Sequence, residues 1–151
     1  MKNNLQRKQL GKKISVFKAA QQEVKPPAGW IKAIRTSLGM SLEQLATKLN
    51  ISKQSVQTLE KREQEMGITL QSLYDVAAAM DMELVYAIVP KDETLEDLIA
   101  RKANILAKQI VMRTAQTMAL EDQQNSAQRL DEAIEERKQD IILNMPKALW
   151  D

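Results

Sequence analysis

Lys53, Gln54, Ser55, Gln57 and Thr58 place five polar side chains around two apolar residues, Val56 and Leu59, that stand three positions apart. On a helix that spacing turns Val56 and Leu59 inward together and leaves the polar side chains outside. Their chemistry is that of the DNA major groove. Gln pairs with the edge of adenine, Lys with guanine or phosphate, and Ser or Thr with either. Each good base contact is worth about 1–3 kcal/mol of discrimination.

The elements that must hold these residues can be read from local rules. Ser41 precedes an apolar run and is followed three residues later by Gln44, so the two can form a reciprocal cap and a helix starts at Leu42. Leu42, Leu45, Ala46 and Leu49 recur at spacings of three and four and give that helix one buried face. Asn50 stands where it stops, and its short side chain tolerates the left-handed backbone of a tight helix exit. Ile51 is expected to plug the turn, and Ser52 to cap a second helix. Met40 to Lys61 therefore reads as two short helices joined by a tight turn, the arrangement that sets one helix into the major groove.

Charge adds to this reading, because the net +2 of the 151 residues hides two opposite parts. Residues 1–63 carry 13 Lys+Arg against 4 Asp+Glu, and residues 64–151 carry 9 against 16. The basic part coincides with the helix pair and supplies the sequence-independent attraction to phosphate. Lys32, Arg35, Lys48, Lys61 and Arg62, with Ser41 and Gln44 at a helix start, form the expected backbone-contacting set. The acidic part should face away from DNA or face a partner.

Other chemistries find little support. Cysteine and histidine are both absent, which excludes disulfides, Cys–His or Ser–His–Asp catalysis, ordinary zinc sites and a histidine pH switch. No nucleophile–base pair, phosphate-cradling glycine loop or metal-ligand spacing stands out, so neither an enzyme nor a bound cofactor or metal is expected. No run of 18 apolar residues and no signal-peptide core occur, which places the chain in the cytoplasm and away from membranes. With two Trp, two Tyr and one Phe, the core must be aliphatic.

Four regions follow along the chain. Residues 1–25 form a basic helix or arm, closed by Pro26 and Pro27. Residues 26–82 form the helix-turn-helix domain. There Trp30, Ile31, Ile34 and Leu38 line a helix with Lys32 and Arg35 exposed, and Thr69 caps a helix carrying Leu70, Leu73, Val76, Ala77 and Met80. Residues 83–90, ELVYAIVP, break the helical period and favour an extended chain with both faces apolar, so a buried β-strand is expected. No second strand is visible, and its partner is expected in a second copy, giving a homodimer with recognition helices about 34 Å apart. Residues 91–151 form a helical extension for dimerisation or partner binding. Thr94 and Asp97 open a long helix along Leu95, Leu98, Ile99, Leu106, Ile110 and Met118, and a last helix with Leu130, Ile134 and Ile141 stops before Pro146. The fold class is mainly α, with one short strand.

Leu45-Ala46, Ile51-Ser52, Val56 and Leu59-Glu60 resemble the core motif of the phage-repressor or XRE family of helix-turn-helix regulators. The likeness implies a five-helix domain binding an inverted-repeat operator in double-stranded DNA. Leu42 stands where many members carry a glutamine, so no base contact transfers to it. Asn50 and Arg62 stand where many carry glycine. Three blocks, PPAGWIKAIRTSLGMS, GITLQSLYDVAAAMDMELVYAIVP and QTMALEDQ, further resemble the family called mobile mystery protein A, encoded beside a Fic-domain protein. That resemblance implies an autorepressor and antitoxin of a toxin–antitoxin operon with a Fic-domain partner. Many Fic enzymes are restrained by a helix bearing Ser or Thr, three residues, then Glu. Thr117 and Glu121 have that spacing, while Asp122 departs from the Gly or Asn that follows.

Overall fold

A computed structural model describes residues 2–119 and 127–151 as seven α-helices and two short 3-10 turns. In order they are α1 (Lys2–Phe17), α2 (Trp30–Ser37), α3 (Leu42–Leu49), α4 (Lys53–Gln64), α5 (Leu70–Ala79), α6 (Leu95–Ala119) and α7 (Ala127–Asn144). The 3-10 turns follow α1 at Lys18–Gln22 and α7 at Lys147–Trp150. The chain divides into two compact units, residues 17–88 and residues 1–16 with 89–151.

The 17–88 unit is built from α2 to α5 around Ile31, Leu45, Ala46, Val56, Val76 and Met80. Ile34, Met40, Leu42, Leu49, Leu59, Ile68, Leu73 and Ala79 pack against that core from its edge. Leu45 and Val56, one from each helix of the pair, are fully buried. Every helix start from α3 to α5 is capped by a hydroxyl: Ser41, Ser52 and Thr69 each accept the N–H three residues ahead. Such caps matter because the first amides of a helix have no acceptor of their own.

The second unit is dominated by α6 and α7. The start of α6 faces the end of α7 in one cluster, while the late part of α6 and the early part of α7 line one cleft, so the helices run antiparallel. Ile99, Ala103, Ala107, Ile141 and Leu149 are its buried core. Two alanines at the contact let the helices approach closely, a contribution that a search for large apolar residues passes over. Thr94 and Asp97 form the expected reciprocal cap, each taking the other's backbone N–H at 3.1 Å. Asp92 holds Arg101 through two hydrogen bonds, and these with the carboxylate's charge raise the guanidinium pKa further. No described helix is long and apolar enough to cross a membrane.

The structure corrects five expectations. The 17–88 unit holds four α-helices, α2 to α5, where the family likeness implies five. Residues 83–90 form neither strand nor helix, and no strand occurs among the described residues. A strand needs a ladder to satisfy its backbone. With none to join, Val85 and Tyr86 stay 65% exposed and Ile88 89%. Arg35, expected on the surface, is buried. Ile51 does not plug the turn: its backbone N–H closes the α3 exit on the Ala46 carbonyl at 3.0 Å, while its side chain stays 39% exposed. Trp30 and Leu38, at the two ends of the short α2, and Leu70 at the start of α5 are also exposed.

Candidate nucleic-acid interface

Helices α3 and α4 are joined by three residues, Asn50 to Ser52. Asn50 takes the left-handed conformation, φ 55° and ψ 43°. The turn can then be short because Ser52 immediately caps α4, accepting the Ser55 N–H at 3.1 Å. Val56, Glu60 and Glu63 form the buried side of α4, at spacings of four and three. Lys53, Gln54, Ser55, Gln57, Thr58, Lys61 and Arg62 remain exposed.

The exposed row is not uniform chemically. The Ser55 hydroxyl is paired with that of Ser52 at 2.8 Å, and Thr58 donates its hydroxyl to the Gln54 carbonyl at 2.9 Å. Both hydroxyls are partly committed to the helix itself. The Gln54 and Gln57 carboxamides make no hydrogen bond among the described residues, so their full donor and acceptor sets face outward. Lys53 stands 4.0 Å from Glu43 and Lys61 4.0 Å from Glu65. Exposed pairs at that range bind weakly, and either ammonium can be drawn away by phosphate.

At the start of α3 the Gln44 carboxamide oxygen accepts the Ser41 N–H at 2.8 Å, while Gln44 donates its own backbone N–H to the Ser41 hydroxyl at 3.1 Å. With its oxygen so held, the Gln44 NH2 group remains available to donate to a phosphate at the positive end of the helix. Lys32 and Lys48 are exposed as expected. Arg35 leaves the phosphate-contacting set. Its Nε donates to Glu60 Oε1 at 2.6 Å, Nη2 to Glu60 Oε2 at 3.4 Å, and Nη1 to the Met40 carbonyl at 3.0 Å.

Glu60 and Glu63 are the residues that spacing alone passes over. Their carboxylates lie on the inner face of α4, where the period predicts an apolar stripe. The signal is present in their register with Val56. Of the Fic-type pair, Thr117 lies on the α6 backbone, with its side chain outside the described residues, as is the whole of Glu121.

Residues 31–86 match a family model described as helix-turn-helix. This match supports the XRE-type family and falls on the unit whose geometry is described above. The match supports a DNA-binding regulator role for that part of the chain. The narrower likeness to mobile mystery protein A finds no support in this match. No curated protein and no solved structure matches the chain.

Proposed function

We propose that the chain is a sequence-specific repressor of its own operon, reading an inverted-repeat operator with α4 and blocking polymerase by occupancy. The observation that carries this is the outward row of α4, where Gln54 and Gln57 present unengaged carboxamides on a helix held by buried contacts on its other side. Lys53, Ser55 and Thr58 complete the base-reading face. Lys32, Lys48, Lys61 and Arg62, with the Ser41–Gln44 helix start, fix the register on the backbone.

A homodimer fits this reading, with two copies placing their α4 helices one DNA turn apart, about 34–36 Å. Support comes from the exposed apolar surface of the 17–88 unit, where Trp30, Met66, Leu70, Met82 and Val85 surround a groove of about 510 Å³. Apolar patches of this kind mark protein contacts.

Gln54→Ala/Gln57→Ala is expected to weaken operator binding by about 1–3 kcal/mol for each base that the two carboxamides read, while sparing affinity for unrelated DNA. Footprinting on the chain's own upstream DNA checks this. Protection equal to the parent's removes α4 as the reader.

The same reading includes an antitoxin role, with the acidic C-terminal helices restraining a Fic-domain enzyme. Exposed Glu132, Glu135 and Glu136 on α7 support it by offering an acidic face to a basic partner. A glutamate presented from a helix can pair with an arginine that otherwise holds a nucleotide phosphate, the role implied for Glu121 beside Thr117. Removing residues 94–151 is expected to abolish co-purification with the neighbouring gene product. Undiminished recovery ends the antitoxin reading.

A further inference from the structure

We propose that helix α1 is a second nucleic-acid contact surface, a sequence-independent clamp on the phosphate backbone of double-stranded DNA. The proposal rests on the DNA-binding reading of the helix-turn-helix domain and extends it to an element outside that unit.

Charge gives the first indication. No acidic residue precedes Glu23, whereas Lys2, Arg7, Lys8, Lys12, Lys13 and Lys18 fall within the same stretch. Residues 2–17 form one continuous helix, so Arg7, Lys8, Lys12 and Lys13 sit on a rigid rod about 24 Å long at 1.5 Å per residue. The rod has two sides. Arg7, Gly11 and Ile14 are half-buried and lie within one narrow strip. Arg7 is held there by Glu96, which accepts its Nε–H at 3.1 Å.

Lys8, Lys12 and Lys13 project on the opposite side. At 3.6 residues per turn they fall within an arc of roughly 140° facing away from the Arg7 strip. All three are exposed. Asn3, Gln6 and Gln9, also exposed, add amide donors and no negative charge. Lys8 and Lys12 are one turn apart, about 6 Å along the axis, a spacing at which two ammoniums can meet neighbouring phosphates of one strand.

This basic helix belongs to a unit that is otherwise acidic. Residues 89–151 hold 9 Lys+Arg against 12 Asp+Glu, yet the face of α1 carries no carboxylate. Leu5 and Val16 are exposed among the lysines, and Leu10 is exposed away from them. They form no continuous apolar stripe, so the helix lacks the face that an interfacial membrane helix or a coiled-coil partner requires. What the surface offers is positive charge and amide donors, which is the chemistry of phosphate contact.

The test compares the full chain with Lys8→Ala/Lys12→Ala/Lys13→Ala, measuring affinity for the chain's upstream DNA and for a duplex of arbitrary sequence over a salt series. The expected result is a slope of log K against log salt that becomes shallower by about 2.7 on both duplexes, roughly 0.9 for each phosphate neutralised. Footprints on the upstream DNA keep the same protected bases. The Lys→Arg variant at the same three positions restores the parent slope. A change smaller than that of one phosphate overturns the proposal, as does an unchanged DNA slope accompanied by weakened binding to vesicles of anionic phospholipid. Gln54→Ala/Gln57→Ala separates the two readings. Lysine-dependent slope without any preference for upstream DNA removes the operator reading and leaves the clamp, whereas preference with an unaltered slope removes the clamp alone.

Discussion

Glu60→Ala lowers the stability of the 17–88 unit by about 3–5 kcal/mol, the cost of leaving one partner of a buried ion pair uncompensated. Arg35 and Glu60 are each 8% exposed, and their closest approach is 2.6 Å. The guanidinium would keep only the Met40 carbonyl among its present partners, in a site that water does not reach freely. Arg35→Met/Glu60→Leu removes both charges while roughly keeping their volume, and such double replacements of buried pairs are often neutral or better. The double variant is therefore expected to recover most of what the single one loses. Denaturant unfolding followed by Trp30 fluorescence in a Trp150→Phe background reports on this unit and not on the other. A loss below about 1 kcal/mol for Glu60→Ala, or a double variant as unstable as the single, contradicts the assigned role of the pair.

That pair also marks a boundary of what local patterns reveal. Ser41 with Gln44, Asn50, Ser52, Thr69, and Thr94 with Asp97 work through neighbours within four residues, and each takes the conformation its spacing implies. Arg35 and Glu60 are 25 residues apart, and nothing near Arg35 in the chain announces a carboxylate. Read from its charge alone, Arg35 is expected on the phosphate-contacting surface, whereas its burial against Glu60 removes it from there. The apolar residues of 83–90 raise the same difficulty in another form. Val85, Tyr86 and Ile88 favour an extended backbone, but a strand is completed by a partner, and local preference cannot supply one. In α6 the buried strip passes through Ala103 and Ala107, whose value lies in their small size against α7.

The outward face of α4 is legible because it follows from two inward residues, Val56 and Leu59. Which of its groups remain available is not. Ser55 and Thr58 turn their hydroxyls to partners within their own helix start and first turns, a matter of rotamer and not of period. Gln54 and Gln57 thereby keep the unengaged amide donors and acceptors of that face. The same division separates Lys32 and Lys48, which stay outside, from Arg35.

Glu63→Ala is expected to destabilise this unit by about 3 kcal/mol, because hydrogen bonds to a charged group contribute about 1.5–3 kcal/mol and buried donors left unpaired cost more than a pair exchanged with water. Glu63 lies in the last turns of α4 yet serves the start of α2. Its Oε2 accepts the Trp30 N–H at 2.7 Å and its Oε1 the Ile31 N–H at 2.8 Å. These amides belong to the first turn of α2, where no carbonyl of the helix can reach them and a negative charge meets the positive end of the dipole. Gly29, the residue before α2, has no side chain to serve as a cap. A side chain there would be strained: a Cβ would lie 3.0 Å from three atoms of the Glu63 carboxyl group, and φ is +86°. The carboxylate thus replaces a local cap with one brought from 32 residues away, tying α4 to α2. Glu63→Gln retains one acceptor but turns an NH2 donor toward an N–H donor, so it should lose part of the stability that Glu63→Ala loses in full. Hydrogen exchange gives the specific readout. Protection of the Trp30 and Ile31 amides should fall before that of the α5 core in either variant. If both amides exchange as slowly as in the parent, Glu63 does not cap α2.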